Sequence, residues 1–261
     1  MKPPRGPPAA LRAAFTMNHT VPLAEFYIDD SEGGRGTHYE YQREELDQLI
    51  ERSKVSWDHF AGQPSAAWAT SAPGRAMLLL AALRQLPIEG KHVGVWGTIE
   101  PWAECYCLAA GAERVTTIDY NRLTFHHPKM STLTVAELEE ADGHDAHAPF
   151  DVALSLSSFD HDGLGRRGLR VGGTLLLSVP VGPDVVVWNL HRRYGARRLP
   201  LLLHGWEVAA RYGWDEALLD AEGNWRQTYE PLLALKRTQA GELPPPPAPP
   251  PPPPPEDDRE L

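Results

Sequence analysis

Apolar positions along this chain follow two periods, and the switches between them mark out its elements. Between Tyr39 and Lys54, Leu46, Leu49 and Ile50 share one helical face among charged neighbours, which predicts an amphipathic helix. Met77 to Leu86 reads as a compact apolar helix that stops before Pro87. From Lys91 to Asn121 the pattern becomes strand, tight turn, helix, strand. Val93, Val95 and Trp96 are strand formers, and Gly94 and Gly97 bracket a sharp bend. Thr98 is placed to cap the helix, with Glu100 and Pro101 in its first turn, and Gly111 ends it before a second strand, Val115 to Tyr120. A third strand is expected near Met130 to Thr134, followed by a helix from Val135 to Ala141. Asp151 to Ser157 and Gly173 to Pro180 are near-continuous apolar runs of the kind buried in parallel sheets. Beyond them come apolar runs at Val185 to Trp188 and Leu199 to Leu203, and a short helix expected at Trp206 to Tyr212. In the last strand, Tyr229 to Lys236, Pro231 points to an edge or a start position. The alternation predicts an α/β, Rossmann-like fold: a mostly parallel sheet flanked by helices, with an N-terminal helical extension.

The two ends of the chain have a different composition. Residues 1–36 read as a disordered or extended lead, in which Val21 to Ile28 is a candidate strand or arm, and the domain occupies 37–238. Residues 239–261 form a proline-rich, acidic, disordered tail: only Ala248 interrupts the prolines from Pro244 to Pro255. Such a polyproline rod suits an SH3-like recognition domain, and its plainer reading is a solvated tail. Apolar content of 42% and charged content of 23% are those of a globular domain. A net charge of −10 argues against a general nucleic-acid partner, and no apolar run reaches the length of a membrane span. Cys105 and Cys107, two apart on one predicted helix, suit neither a disulfide with each other nor a zinc site. A reducing, cytoplasmic setting is the default. Lys2, Arg5 and Arg12 in an acid-free start leave organellar targeting open.

Candidate chemistry gathers at the second strand's end. Asp119 lies 22 residues after Gly97, close to the spacing at which a βαβ unit presents an acid to a cofactor ribose, and Tyr120 stands beside it. The turn itself, G-V-W-G-T-I-E-P-W, departs from the G-x-G-x-x-G needed to seat a pyrophosphate. Pro101 lacks an N–H, and Trp102 is bulky where a third glycine would allow close packing. S-adenosylmethionine has a ribose and no phosphate, so Gly94, Gly97, Asp119 and Tyr120 are candidate contacts for it. The plainer reading is an α/β domain whose Asp119 merely ends a strand. His144, Asp145 and His147 lie in a polar connection that reads as a solvated loop, and no metal site is expected. After the fourth strand, S-S-F-D-H-D-G offers His161 as a general base, with Asp160 or Asp162 to orient it. Its bland alternative is a turn capped by Asp160 with His161 packed beneath. From His161 to Arg211 eight arginines face three acids. Arg166, Arg192 and Arg193 are candidates to hold an anionic acceptor, against arginines simply solvated on the rim.

Several of these motifs occur together: P-W-A-E with G-A-E-R-V-T-T-I-D-Y-N, then S-S-F-D-H-D-G-L-G-R, then S-V-P-V-G-P-D and N-L-H-R-R-Y-G. In combination they resemble a domain-of-unknown-function family first delineated in nematode proteins, itself similar to class I S-adenosylmethionine-dependent methyltransferases. The resemblance covers roughly residues 75 to 236. It implies a Rossmann-like sheet with Gly94, Gly97 and Asp119 at the cofactor site, and says nothing of the acceptor. This chain differs in carrying Asp160-His161 where the family has Glu-His, and in the short connection from Ser158 to Gly173. Two functions stay in view: a methyltransferase acting on a small acceptor, and a non-catalytic nucleoside-binding or protein-interaction module.

Overall fold

The computed structural model describes residues 5–26, 38–61, 74–142, 150–158, 169–188, 190–220 and 229–238. A seven-stranded sheet forms its centre. The strands are β3 (His92–Trp96), β4 (Arg114–Asp119), β6 (Met130–Thr134), β7 (Phe150–Leu156), β8 (Leu169–Ser178), β11 (Trp206–Tyr212) and β12 (Leu232–Arg237). Their order is β6-β4-β3-β7-β8-β12-β11. The first five pair in parallel; β12 runs antiparallel to both β8 and β11. A mostly parallel Rossmann-like sheet is therefore what the alternation of elements builds. In strand count along the chain, its first five members follow the 3-2-1-4-5 order of a dinucleotide fold. The reversed strand inserted beside the fifth departs from it.

Alternate residues divide the core between the two faces. Val93, Val95, Val115, Val152, Leu154 and Leu176 meet α3 (Arg75–Gln85) and α4 (Trp102–Ala109) on one side. Trp96, Ile118, Ala153, Leu175 and Leu177 meet α5 (Val135–Asp142) and the short helix Leu199–Leu202 on the other. α2 (Arg43–Ala61) packs outside α4, and its Leu46 joins Leu123, Phe125 and Met130 in a third, smaller cluster.

Two further small sheets accompany the central one. β2 (His38–Tyr41) pairs in parallel with β5 (Arg122–Phe125), so the predicted helix from Tyr39 starts only at Arg43. The residues before it alternate and prefer the sheet. β1 (Leu23–Ala24), β9 (Val185–Val187) and β10 (His191–Arg193) form the other sheet, which ties the N-terminal arm to the insertion before β11. Part of the disordered lead is helical: α1 spans Ala9–Phe15, and Thr16 and Val21 after it are buried. The helix expected at Trp206 to Tyr212 is strand β11. Its side chains alternate between half-buried and exposed, the period-2 signature of an edge strand, between left-handed Gly205 and Gly213. Pro231 precedes β12 as a start residue, where its missing N–H breaks no ladder bond. β8 pairs with β7 in spite of the short connection, with Leu156 opposite Ser178. The connection itself and the proline-rich tail lie outside the described residues, as do His144, Asp145 and His147. No helix among the described residues is long and apolar enough to cross a membrane.

Candidate functional site

Strand ends β3, β4 and β7 converge at the carboxyl edge of the sheet, where open α/β folds place ligands. At the end of β3 the chain turns through Gly97, in the left-handed region (φ 72°), and its N–H donates to the Ile118 carbonyl at 3.0 Å. A side chain on Gly97 would run into Ser158, which the loop after β7 lays against it. Ser157 takes a positive φ of 62° while its N–H bonds Ser178 at 2.8 Å. A non-glycine residue held there is strained, and such strain gathers where a fold fixes a site. Gly94 sits differently: it is inside β3, where a Cβ would come within 2.7 Å of Trp96 and 2.8 Å of Phe150. Its missing side chain makes room for two aromatic rings, 5.4 Å apart and edge to face. The helix after the turn starts late. Pro101 is its N-cap residue, with no side-chain cap bond, and Trp102 opens it.

Asp119 ends β4 and is 7% exposed. Its Oδ1 accepts from the Asn121 backbone N–H at 2.7 Å and from Nδ2 of the same residue at 3.0 Å, which fixes the carboxylate where the strand stops. A cleft of about 420 Å3 opens alongside, lined by Asn121, Leu133, Thr134 and Glu137 among others. Thr134 and Glu137 close a reciprocal capping box at the start of α5: the Glu137 carboxylate accepts from Thr134 N–H at 2.6 Å, and Glu137 N–H donates to Thr134 Oγ1 at 3.2 Å. Hydrogen bonds from the Thr134 N–H and from its hydroxyl, at 2.9 Å, hold the Glu137 carboxyl below the usual carboxylate range. Tyr120, 65% exposed, stands at the edge of this region.

Beneath the turn lies a carboxyl that sequence reasoning passed over. Glu104 is fully buried on α4, at 0% exposure. Its Oε1 accepts from Thr98 Oγ1, in the turn, and from Thr117 Oγ1, on β4, at 2.6 Å. Thr98, expected to cap the helix, spends its hydroxyl here instead. Oε2 has no hydrogen-bond partner among the described residues. Burial, opposed by the two threonines and aided by the Asp119 charge, pushes the Glu104 carboxyl up to about 7. A clue was available: an acid in the middle of W-A-E-C-Y-C-L-A, a helix otherwise without charge. Cys105 and Cys107 follow it on the helix, both buried and free, their thiols pushed up by burial, that of Cys105 to about 12. Neither is a nucleophile at neutral pH.

The model of one family matches residues 90–170 and 168–228, described as "Caenorhabditis protein of unknown function, DUF268". The chain belongs to this family. No curated protein matches it at a significant level. Solved structures similar to it include a 1,6-didemethyltoxoflavin-N1-methyltransferase of Burkholderia thailandensis, at 18% identity and a TM-score of 0.46, covering 76% of this chain and 92% of the other. A putative S-adenosylmethionine-dependent methyltransferase of Listeria monocytogenes aligns at 13% identity and 0.41, covering 62% and 97%. One from Mesorhizobium loti aligns at 14% and 0.41, covering 61% and 98%.

The DUF268 match takes in β3, Glu104, Asp119 and the β9–β10 insertion, and leaves α1, β1, β2 and α2 outside. Within the insertion three arginines contact neighbouring segments. Arg193 is buried and its Nε donates to the Pro183 carbonyl at 2.7 Å. Arg192 lies 5.6 Å above the Phe15 ring, and Arg198 donates through Nη2 to the Phe15 carbonyl. Asp184 accepts from three backbone N–H groups, those of Gly195, Arg197 and Arg198, at 2.8–3.1 Å. Asp160, His161 and Arg166 lie outside the described residues.

Proposed function

We propose that the chain binds S-adenosylmethionine at the carboxyl edge of β3, β4 and β7 and transfers its methyl group to a small acceptor. The observation that carries this reading is Asp119, a nearly buried carboxylate locked at the end of the second parallel strand, one residue past the Ile118 carbonyl that the Gly97 N–H bonds; its hydrogen-bond partner Asn121 lines the neighbouring cleft. A carboxylate so placed accepts hydrogen bonds from the two ribose hydroxyls of a nucleoside. The residues fit a cofactor without phosphate better than one with a pyrophosphate. A helix capped by Pro101 offers one donor fewer at its start, and its capping hydroxyl is turned away to Glu104. The cleft beside Asn121 and Thr134 then receives the base, with Tyr120 at its rim. Gly97 provides the close approach of backbone, whereas Gly94 acts through packing.

Bound there, the cofactor would supply the methyl group of its sulfonium to an acceptor oxygen or nitrogen, the sulfur–methyl bond breaking to leave S-adenosylhomocysteine. His161, which follows β7 in the sequence, would take the proton released by the acceptor, and Asp160 would orient the ring. Arg166, Arg192 and Arg193 would favour an anionic acceptor, the last two in addition to their contacts with Phe15 and Pro183. Titration calorimetry with S-adenosylhomocysteine and with NADP tests the reading: the first binds and the second does not. Asp119→Ala is expected to lose charge-assisted bonds worth about 1.5–3 kcal/mol each. His161→Ala keeps the affinity and loses roughly 10²–10⁴-fold in single-turnover methylation. Equal affinity in wild type and Asp119→Ala sinks the cofactor assignment, and normal turnover in His161→Ala sinks the base.

A further inference from the structure

We propose that Glu104 is a positioning residue for this site: a buried carboxyl that fastens the Gly97–Thr98 turn to the strand bearing Asp119. The inference rests on the cofactor reading above and assigns a task to a side chain outside it. Three elements meet at one carboxyl. Thr98 belongs to the turn, Glu104 to α4, and Thr117 to β4, two residues before Asp119 and therefore on the same face of the sheet. Both hydroxyls donate to the same oxygen, Oε1, which acts as the carbonyl of an acid. Oε2 is sealed from solvent and unpartnered among the described residues. A negative charge left on that oxygen costs far more than a hydroxyl there.

A general-base role does not suit it. Glu104 is wholly buried beneath the turn, with no surface for an acceptor to reach. Its influence passes through what it holds. The groups around it sharpen this: Asp119 on β4 is the charge that opposes its ionisation. Cys105 and Cys107 on its own helix stay neutral, and Tyr41 on β2 has its hydroxyl pushed up by burial and by Glu100, Tyr39, Glu45 and Glu104. Ionising Glu104 sets two like charges on one face of β4, and a ligand seated on Asp119 excludes the water that screens them. The ligand-bound state therefore holds the Glu104 proton more tightly, and affinity falls as pH rises through neutrality.

The test measures S-adenosylhomocysteine affinity of the full chain from pH 5.5 to 8.5, together with thermal stability over the same range. Wild type is expected to lose affinity by about tenfold, the change that one unit of linked pKa shift produces. Glu104→Gln, neutral and nearly isosteric, gives a flat profile. Thr117→Val removes a donor that favours the charged form, so its fall in affinity moves to higher pH. Parallel profiles in wild type and Glu104→Gln overturn the proposal, as does an unmoved fall in Thr117→Val. If S-adenosylhomocysteine binds to none of them, the cofactor reading has failed. The stability profiles then decide the fastening role alone: it stands if wild type loses stability with rising pH and Glu104→Gln does not, and falls if the two run together.

Discussion

Glu104 and Gly94 show how single residues set the terms of this site. Folded, Glu104 holds its proton up to about pH 7; unfolded, it ionises near 4.5. The native state is the better proton binder between those values, so stability declines as pH rises through that window and levels off above it. The size is about 3 kcal/mol. Glu104→Gln is expected to remove most of that slope in denaturant titrations run at pH 5 and at pH 7.5, and a slope left unchanged would mean the carboxyl is already ionised in the fold. Gly94 has a packing task. Gly94→Ala pushes a methyl against Trp96 and Phe150, overpacking that costs about 1–3 kcal/mol. Adding Phe150→Leu is expected to restore part of the loss, while cofactor affinity of the folded protein stays the same. A Gly94→Ala protein as stable as wild type but unable to bind ligand would return the residue to the cofactor turn.

Among elements, the N-terminal arm depends most on distant partners. α1 has no buried residue of its own and is too short to persist alone. It is held by what lies at its end: Phe15 meets Trp188 edge to face at 5.3 Å and lies under the Arg192 guanidinium. The arm then runs along the insertion, with Pro22 and Ala24 accepting from Val186 and Trp188 at 3.0 Å. Phe15→Ala is expected to destabilise the protein by about 1–2 kcal/mol through the lost ring and cation contacts. Hydrogen exchange should then quicken at Val186 and Trp188 before it does in β7. Uniform quickening, or none, would show that the arm is not docked through Phe15. β11 makes the contrasting case. Its pairing with β12 runs from Trp206 opposite Arg237 to Tyr212 opposite Leu232, and this ladder decides that the segment is a strand.

At the scale of the whole molecule, both faces of one sheet are covered, and the two large core clusters share strands β3, β4, β7, β8 and β12. Ligand bound at the carboxyl edge therefore stabilises the entire sheet. S-adenosylhomocysteine at a hundred times its Kd is expected to add about 2.7 kcal/mol, a Tm rise of roughly 5–10 °C for a domain of this size. NADP at the same concentration should leave Tm unchanged. A shift with NADP and none with S-adenosylhomocysteine would reverse the choice of cofactor.

What the sequence determined by itself is the regular part of this protein. Local periodicity and turn chemistry sufficed for β3, α4, β4, β6, α5 and β7, because their apolar residues recur at the strand or helix period and residues such as Gly97, Gly111 and Pro87 stop a strand or helix locally. The spacing from Gly97 to Asp119 also placed an acid at a strand end, since a βαβ unit has nearly fixed length. Tertiary structure alone decided the rest. β11, β2 and α1 take their form from partners far along the chain, and a seven-residue segment with mixed signals follows whichever ladder or face it meets. The same holds inside the site. Glu104 became a buried acid only because Thr98 and Thr117, six and thirteen residues away, are folded onto one of its oxygens. Arg193 donates through Nε to the Pro183 carbonyl because the insertion turned it there. A charge's role depends on what shares its few ångströms, and that proximity is set by the fold.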